Sequence, residues 1–252
     1  MRVGLKILLL LLGAPCVTHL AAPARGADAG ALFETGNKLY EERKFTEAAA
    51  AYQAAAGSGQ NSPALYFNLG NALFKSGNTG RSILAYRHAA RLTPRDPDVR
   101  ANLQFARNQV EGPTLHAPRW QRALETLSLN EWTALSVAGL WLTFILLAAG
   151  QWRPALKPAL RSALAATGIA TLVIAVCMIS SLIANASGKL LVVTAKEAIV
   201  RKGPFVESES AFAAHDGAEL LVLDHKDAWL QVSDGTRRVG WLKSEEVAPI
   251  NL

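Results

Sequence analysis

The chain has 252 residues, half of them hydrophobic, with only 18% charged and a net charge of +6. The length allows one or two domains. The basic excess does not point to nucleic acid, because Lys and Arg form no dense run with interleaved aromatics and several flank apolar stretches. The two cysteines, Cys16 and Cys177, both lie in apolar segments, which excludes a disulfide framework or a cysteine–zinc site in the polar parts.

Residues 1–26 read as a secretory signal. Arg2 and Lys6 precede a short apolar core from Ile7 to Leu12, then Gly13-Ala14-Pro15, then small residues up to Ala24-Arg25-Gly26. The core is too short to span a bilayer comfortably. Cleavage is expected after Gly26, with Ala24 as the alternative. Cys16 raises lipidation, but a lipobox wants a small residue before the cysteine and Pro15 stands there. An uncleaved signal anchor is the other alternative.

A 34-residue periodicity follows. Gly36 recurs as Gly70, Asn37 as Asn71, Leu39 as Leu73, Tyr52 as Tyr86 and Ala55 as Ala89, and Ala48 is matched by Ser82. Gly70 and Ala89 are small where two helices cross closely, while Leu69, Leu73 and Tyr86 fill the space between them. Pro94 cannot continue a helix and turns the chain. The first copy is weaker, with Thr35 where the second copy has the large apolar Leu69, and no closing Pro. A further helix from about Pro97 to Val110 has no partner helix and is expected to cap the stack. Residues 31–110 resemble the tetratricopeptide (TPR) family, two antiparallel helices per unit forming an α-helical solenoid.

That resemblance implies a concave groove for extended peptides or helices, lined here by Phe33, Asn37, Tyr40, Phe67, Asn71, Phe74 and Lys75. The same aromatics can serve simply as packing between repeats. One TPR subgroup grips a terminal carboxylate with Lys, Asn and Arg. Asn37 and Asn68 fit that pattern, but Phe33, Asp98 and Asn102 occupy the basic positions, which argues against carboxylate gripping.

Residues 111–131, with Pro113, Pro118, Arg119, Trp120 and Arg122, read as a linker and a helix resting on a membrane surface. Residues 132–150 and 162–187 carry no charge and are each long enough to span a bilayer. Trp132 and Trp152 bracket the first span, and Ala165, Ala166, Gly168 and Ala170 would let the second pack closely. The intervening residues 151–161 hold Arg153, Lys157 and Arg161 and no acid, so this short loop is expected in the cytoplasm. Both flanking regions are then expected outside, the side the amino-terminal signal also demands. No residue of the spans besides Cys177 is ionisable, which makes an ion pathway improbable, and Cys177 reads as packing.

From residue 189 to 252 the pattern changes to short strands. Leu190–Val193, Ala198–Arg201, Glu219–Asp224, Trp229–Val232 and Gly240–Leu242 alternate with turns at Gly203-Pro204, Asp216-Gly217 and Asp234-Gly235. A small all-β barrel is expected. Val200-Arg201-Lys202-Gly203-Pro204, Asp216-Gly217, Trp229-Leu230-Gln231-Val232 and Gly240-Trp241-Leu242 resemble the bacterial SH3 family, whose members bind cell-wall peptides or protein segments. Arg201, Trp229, Arg237 and Trp241 are the groove candidates this resemblance implies. For both tryptophans the core is the simpler placement, and for both arginines solvent is.

No catalytic constellation is apparent. His88, His116, His215 and His225 are scattered, and no metal-ligand spacing, phosphate loop or nucleophile elbow occurs. Asp224-His225 with Asp227 reads as solvent-facing turn residues. The expectation is therefore a non-enzymatic, multidomain protein without a cofactor. The order of modules (repeats, two spans, SH3-like barrel) resembles the BatE-type proteins of the aerotolerance operon family. That resemblance implies an inner-membrane scaffold with von Willebrand factor A-domain partners and, indirectly, a MoxR-type AAA+ ATPase. The alternative is a cell-wall sensor whose barrel binds peptidoglycan peptides.

Overall fold

The computed structural model describes residues 23–112, 115, 118–186 and 190–250. The expected signal core and Cys16 lie outside the described residues. Helices α1 (Pro23–Glu41), α2 (Phe45–Gly57), α3 (Pro63–Lys75), α4 (Thr79–Leu92) and α5 (Pro97–Asn108) form the amino-terminal stack. Local chemistry sets two of their starts. The Ser62 hydroxyl accepts the Leu65 N–H ahead of Pro63, and the Asp96 carboxylate accepts the N–H groups of Asp98 and Val99 ahead of Pro97. Proline suits a first helical turn because its missing N–H would be unpaired there anyway.

The repeat is visible in contacts as well as letters. A Cβ added at Gly36 would sit 2.5 Å from the Tyr52 ring, and one added at Gly70 would sit 2.6 Å from the Tyr86 ring. Both glycines are therefore required by the close crossing of the two helices of a unit. Tyr52, Leu65 and Ala89 are fully buried. The turns also match: Gly77 has φ +81° and Arg43, which stands 34 positions earlier, has φ +61°. The left-handed conformation costs a residue with a Cβ about 1 kcal/mol or more. Arg43→Gly is therefore expected to stabilise the stack by about 1 kcal/mol, less the extra freedom glycine adds to the unfolded chain. A rise in thermal midpoint would show it.

A six-residue helix, α6 (Arg119–Leu124), leads to α7 (Leu129–Trp152) and α8 (Lys157–Ala186). Ser128 and Glu131 form a reciprocal capping box at the start of α7. The Trp132 indole N–H donates to the Leu124 carbonyl at 3.1 Å, and Arg95 pairs with Glu131, tying this start to the repeat stack. The two helices pack against each other, with Gly139 so close to Thr171 that a Cβ would fall 2.6 Å from its hydroxyl. Both are long and apolar enough to cross a membrane, and Leu140, Trp141, Ile145, Leu172 and Ile183 lie exposed along them. The basic stretch at 151–161 is more helical than a loop: Pro154–Leu156 forms a 3-10 turn and α8 begins at Lys157.

The described carboxy-terminal residues form an antiparallel seven-stranded sheet in the order β3-β2-β6-β5-β4-β1-β7. The strands are β1 (Leu190–Val193), β2 (Glu197–Arg201), β3 (Ser210–His215), β4 (Glu219–Lys226), β5 (Trp229–Ser233), β6 (Val239–Lys243) and β7 (Val247–Pro249). The hydrogen-bonded order ends at β3 and β7, so the sheet is open. All seven strands nevertheless contribute to one core, made of Leu191, Val193, Ala198, Val200, Ala214, Leu220, Val232, Leu242 and Val247. Two strands are absent from the sequence-based expectation. β3 reads Ser-Ala-Phe-Ala-Ala-His and lacks β-branched residues, and β7 contains Pro249, tolerated because this strand is an edge.

The sheet docks on the repeat stack. Ile83, Tyr86 and Ala106 share a core cluster with Val192 and Ile250. The Glu219 side chain, 4% exposed, accepts from Arg87 of α4 at 2.7 Å and from Arg107 of α5 at 2.8 Å. Asn78 supplies no side-chain cap to α4, and the Asp216 carboxylate from the sheet accepts the Gly80 N–H at 3.0 Å instead. Burial pushes the Asp216 carboxyl above its ordinary value, against the pull of the Gly80 and Thr79 backbone bonds. The Arg91 guanidinium donates to the Ile250 carbonyl at 2.8 Å. The stack end that α5 was expected to close is thus itself covered by the sheet.

Candidate protein-binding surfaces

The first helices of the units, α1, α3 and α5, carry the residues expected to line a groove. Asn37 and Asn71 are committed to internal hydrogen bonds. The Asn37 Oδ1 accepts from the Tyr52 hydroxyl at 2.8 Å and from Asn68 at 3.1 Å. The Asn71 Oδ1 accepts from the Tyr86 hydroxyl at 2.7 Å and from Asn102 at 3.0 Å. Each ladder links the two helices of one unit to the first helix of the next. Burial pushes the Tyr52 hydroxyl up to about 12 and raises that of Tyr86 as well, so both remain proton donors at neutral pH.

Phe33 and Phe67 lean on the same tyrosines, with ring centroids 5.8 Å and 6.1 Å apart. Tyr40 meets Phe45 edge-on at 5.2 Å. These three rings pack within the stack. Phe74 differs: it meets Phe105 of α5 edge-on at 5.5 Å, and Phe105 is 56% exposed, as is much of neighbouring Lys75. Phe105 was not among the expected residues, although a signal exists. It stands 34 positions after Asn71, where the ladder asparagine belongs. No tyrosine-bearing second helix follows α5 in the stack, so an asparagine there would have no hydroxyl to hold. Between α3 and α4, Tyr66 stacks on His88 at 3.8 Å, and burial lowers the His88 basicity, with Arg91 adding to the effect.

In the sheet, register decides what faces outward. Trp229 lies opposite Lys243, and Gln231 opposite Trp241, whereas Val232 and Leu242 point into the core. Trp229 and Trp241 therefore share the outer face of the sheet rather than its core, and each is only half-buried. Arg201 is the cross-strand partner of Trp241, and Asp224 that of Gln231, which gives one outward row across four strands. The Arg201 guanidinium also donates to the Ser208 carbonyl at 2.8 Å. Arg237 stands apart at the β5–β6 turn, exposed and with φ +80°. Asp224, His225 and Asp227 lie exposed around the β4–β5 turn, and among the described residues no group of three or more His, Cys, Asp or Glu could hold a metal ion.

A search of curated proteins finds no match to the chain. Residues 33–97 match the tetratricopeptide repeat family model, which covers α2, α3 and α4 entirely and the carboxy-terminal part of α1, and identifies this segment as a TPR-type protein-interaction element.

Proposed function

We propose that the protein is a membrane-anchored adaptor, without catalysis of its own, whose repeat stack and carboxy-terminal SH3-like module sit on the same face of the membrane and dock protein partners. The exposed Phe105, held edge-on by the half-buried Phe74 next to Lys75, carries this reading. An exposed aromatic ring on an interaction repeat is the kind of anchor that dominates binding energy. The strand pattern and the single core shared by all strands support the SH3-like assignment, although the hydrogen-bonded sheet is open.

Two apolar helices with soluble modules at both ends, and those modules touching through Glu219, support a hairpin that returns the chain to the side it left. Arg153, Lys157 and Arg161 at the hairpin tip support a cytoplasmic tip and periplasmic modules. On the BatE-type resemblance, the partners are integral-membrane von Willebrand A-domain proteins and, through them, a MoxR-type ATPase. Pull-down of the solubilised full-length chain is expected to enrich such proteins. Phe105→Ala together with Phe74→Ala is expected to cut that recovery by about tenfold or more, the effect of losing an aromatic anchor. Unchanged recovery would remove the groove from the account. The outward Arg201–Trp241 pair favours a second reading, capture of a cell-wall peptide. Binding of the full-length chain to purified cell wall, lost in Trp241→Ala, would favour it instead.

A further inference from the structure

We propose that the repeat stack and the carboxy-terminal sheet open and close as one cooperative unit, with Glu219 as the latch that joins Arg87 of α4 to Arg107 of α5. The second repeat departs from the first along one face of its second helix. Gly80, Ile83, Arg87 and Arg91 stand 34 positions after Thr46, Ala49, Gln53 and Gly57. Thr46, Gln53 and Gly57 are exposed on α2. Their four counterparts on α4 all meet the sheet: Gly80 lies against Val193 and Asp216, Ile83 beside Gly217, Arg87 on Glu219, and Arg91 on Ile250. The residues that break the repeat are thus the ones that make the junction.

The junction is also built to depend on both sides. A Cβ at Gly80 would fall 2.1 Å from the Val193 carbonyl oxygen, and one at Gly217 would fall 2.5 Å from Val110, so neither surface tolerates a side chain between them. Glu219 is the acidic side chain accepting from both guanidiniums, and its removal leaves two half-buried charges facing each other without it. α5 carries the latch residue Arg107 and also Asn102 and Phe105, which face the repeat side. A ligand seated on Phe105 therefore holds the helix that the sheet clamps, and stabilisation at one surface is transmitted to the other.

The test is amide hydrogen exchange on the detergent-solubilised full-length chain. In Glu219→Gln, exchange over 79–108 and over 190–193 and 219–226 is expected to accelerate together, by about tenfold or more, as loss of one member of a buried charged cluster entails. Gly80→Ala, substituted on the helix side, is expected to accelerate β1 and β4 as well. Joint loss of protection across both modules in either variant supports one unit. Acceleration confined to the strands in Glu219→Gln, or to α4 in Gly80→Ala, would overturn the proposal. Unfolding of the sheet while the repeats keep wild-type protection, or no change anywhere, would overturn it equally.

Discussion

Glu219→Ala is expected to destabilise the protein by about 3–5 kcal/mol, the range for breaking a buried ion pair from one side. The carboxylate is nearly fully buried and each oxygen accepts from a different arginine, Oε1 from Arg87 and Oε2 from Arg107. The Nε groups of both arginines are buried without a hydrogen-bond partner, so the guanidiniums depend on their terminal nitrogens for compensation. Deleting the carboxylate removes that compensation and leaves like charges together. Replacing all three residues by apolar side chains of similar volume is expected to recover most of the loss, because the desolvation penalty disappears with the charges. Denaturant unfolding of the solubilised chain, with the triple variant beside the single one, measures both. A loss below about 1 kcal/mol in Glu219→Ala would mean that water reaches the site and screens it as at a surface.

Ile83→Ala is the second large effect, at about 2–5 kcal/mol for a fully buried aliphatic side chain. Ile83 has no exposed surface and joins Tyr86, Ala106, Val192 and Ile250 in the core between the modules. Its counterpart in the first repeat is Ala49, which packs within the stack alone. The extra volume at position 83 therefore fills space supplied by the sheet. The cavity left by alanine would be lined partly by Val192 and Ile250, so amide protection of β1 is expected to fall along with helix stability. Ala49→Gly, by contrast, is expected to affect the repeats without that change. A loss confined to helical signal in Ile83→Ala would contradict the shared core.

The sequence by itself determined what depends on near neighbours and on period. The 34-residue spacing marked the helix pairs, the crossing glycines and the buried Leu69, Leu73 and Tyr86, because each unit packs on a copy of itself. The charge-free stretches marked two helices long enough to cross a membrane, because length and composition suffice for that. Turn pairs such as Asp216-Gly217 and Asp234-Gly235 marked strand ends, since Gly217 and Gly235 both need positive φ. Only the tertiary structure decided the rest. Strand β3 lacks a local signal and exists because Ile199 and Val200 of β2 pair with it. Trp229 and Trp241 face outward because alternation along β5 and β6 gives the core to Val232 and Leu242, and hydrophobicity alone does not choose a face. Glu219, Arg87 and Arg107 are three ordinary charged residues in the chain. They become a buried cluster only because segments more than a hundred positions apart meet, and no periodicity encodes a meeting between unlike modules.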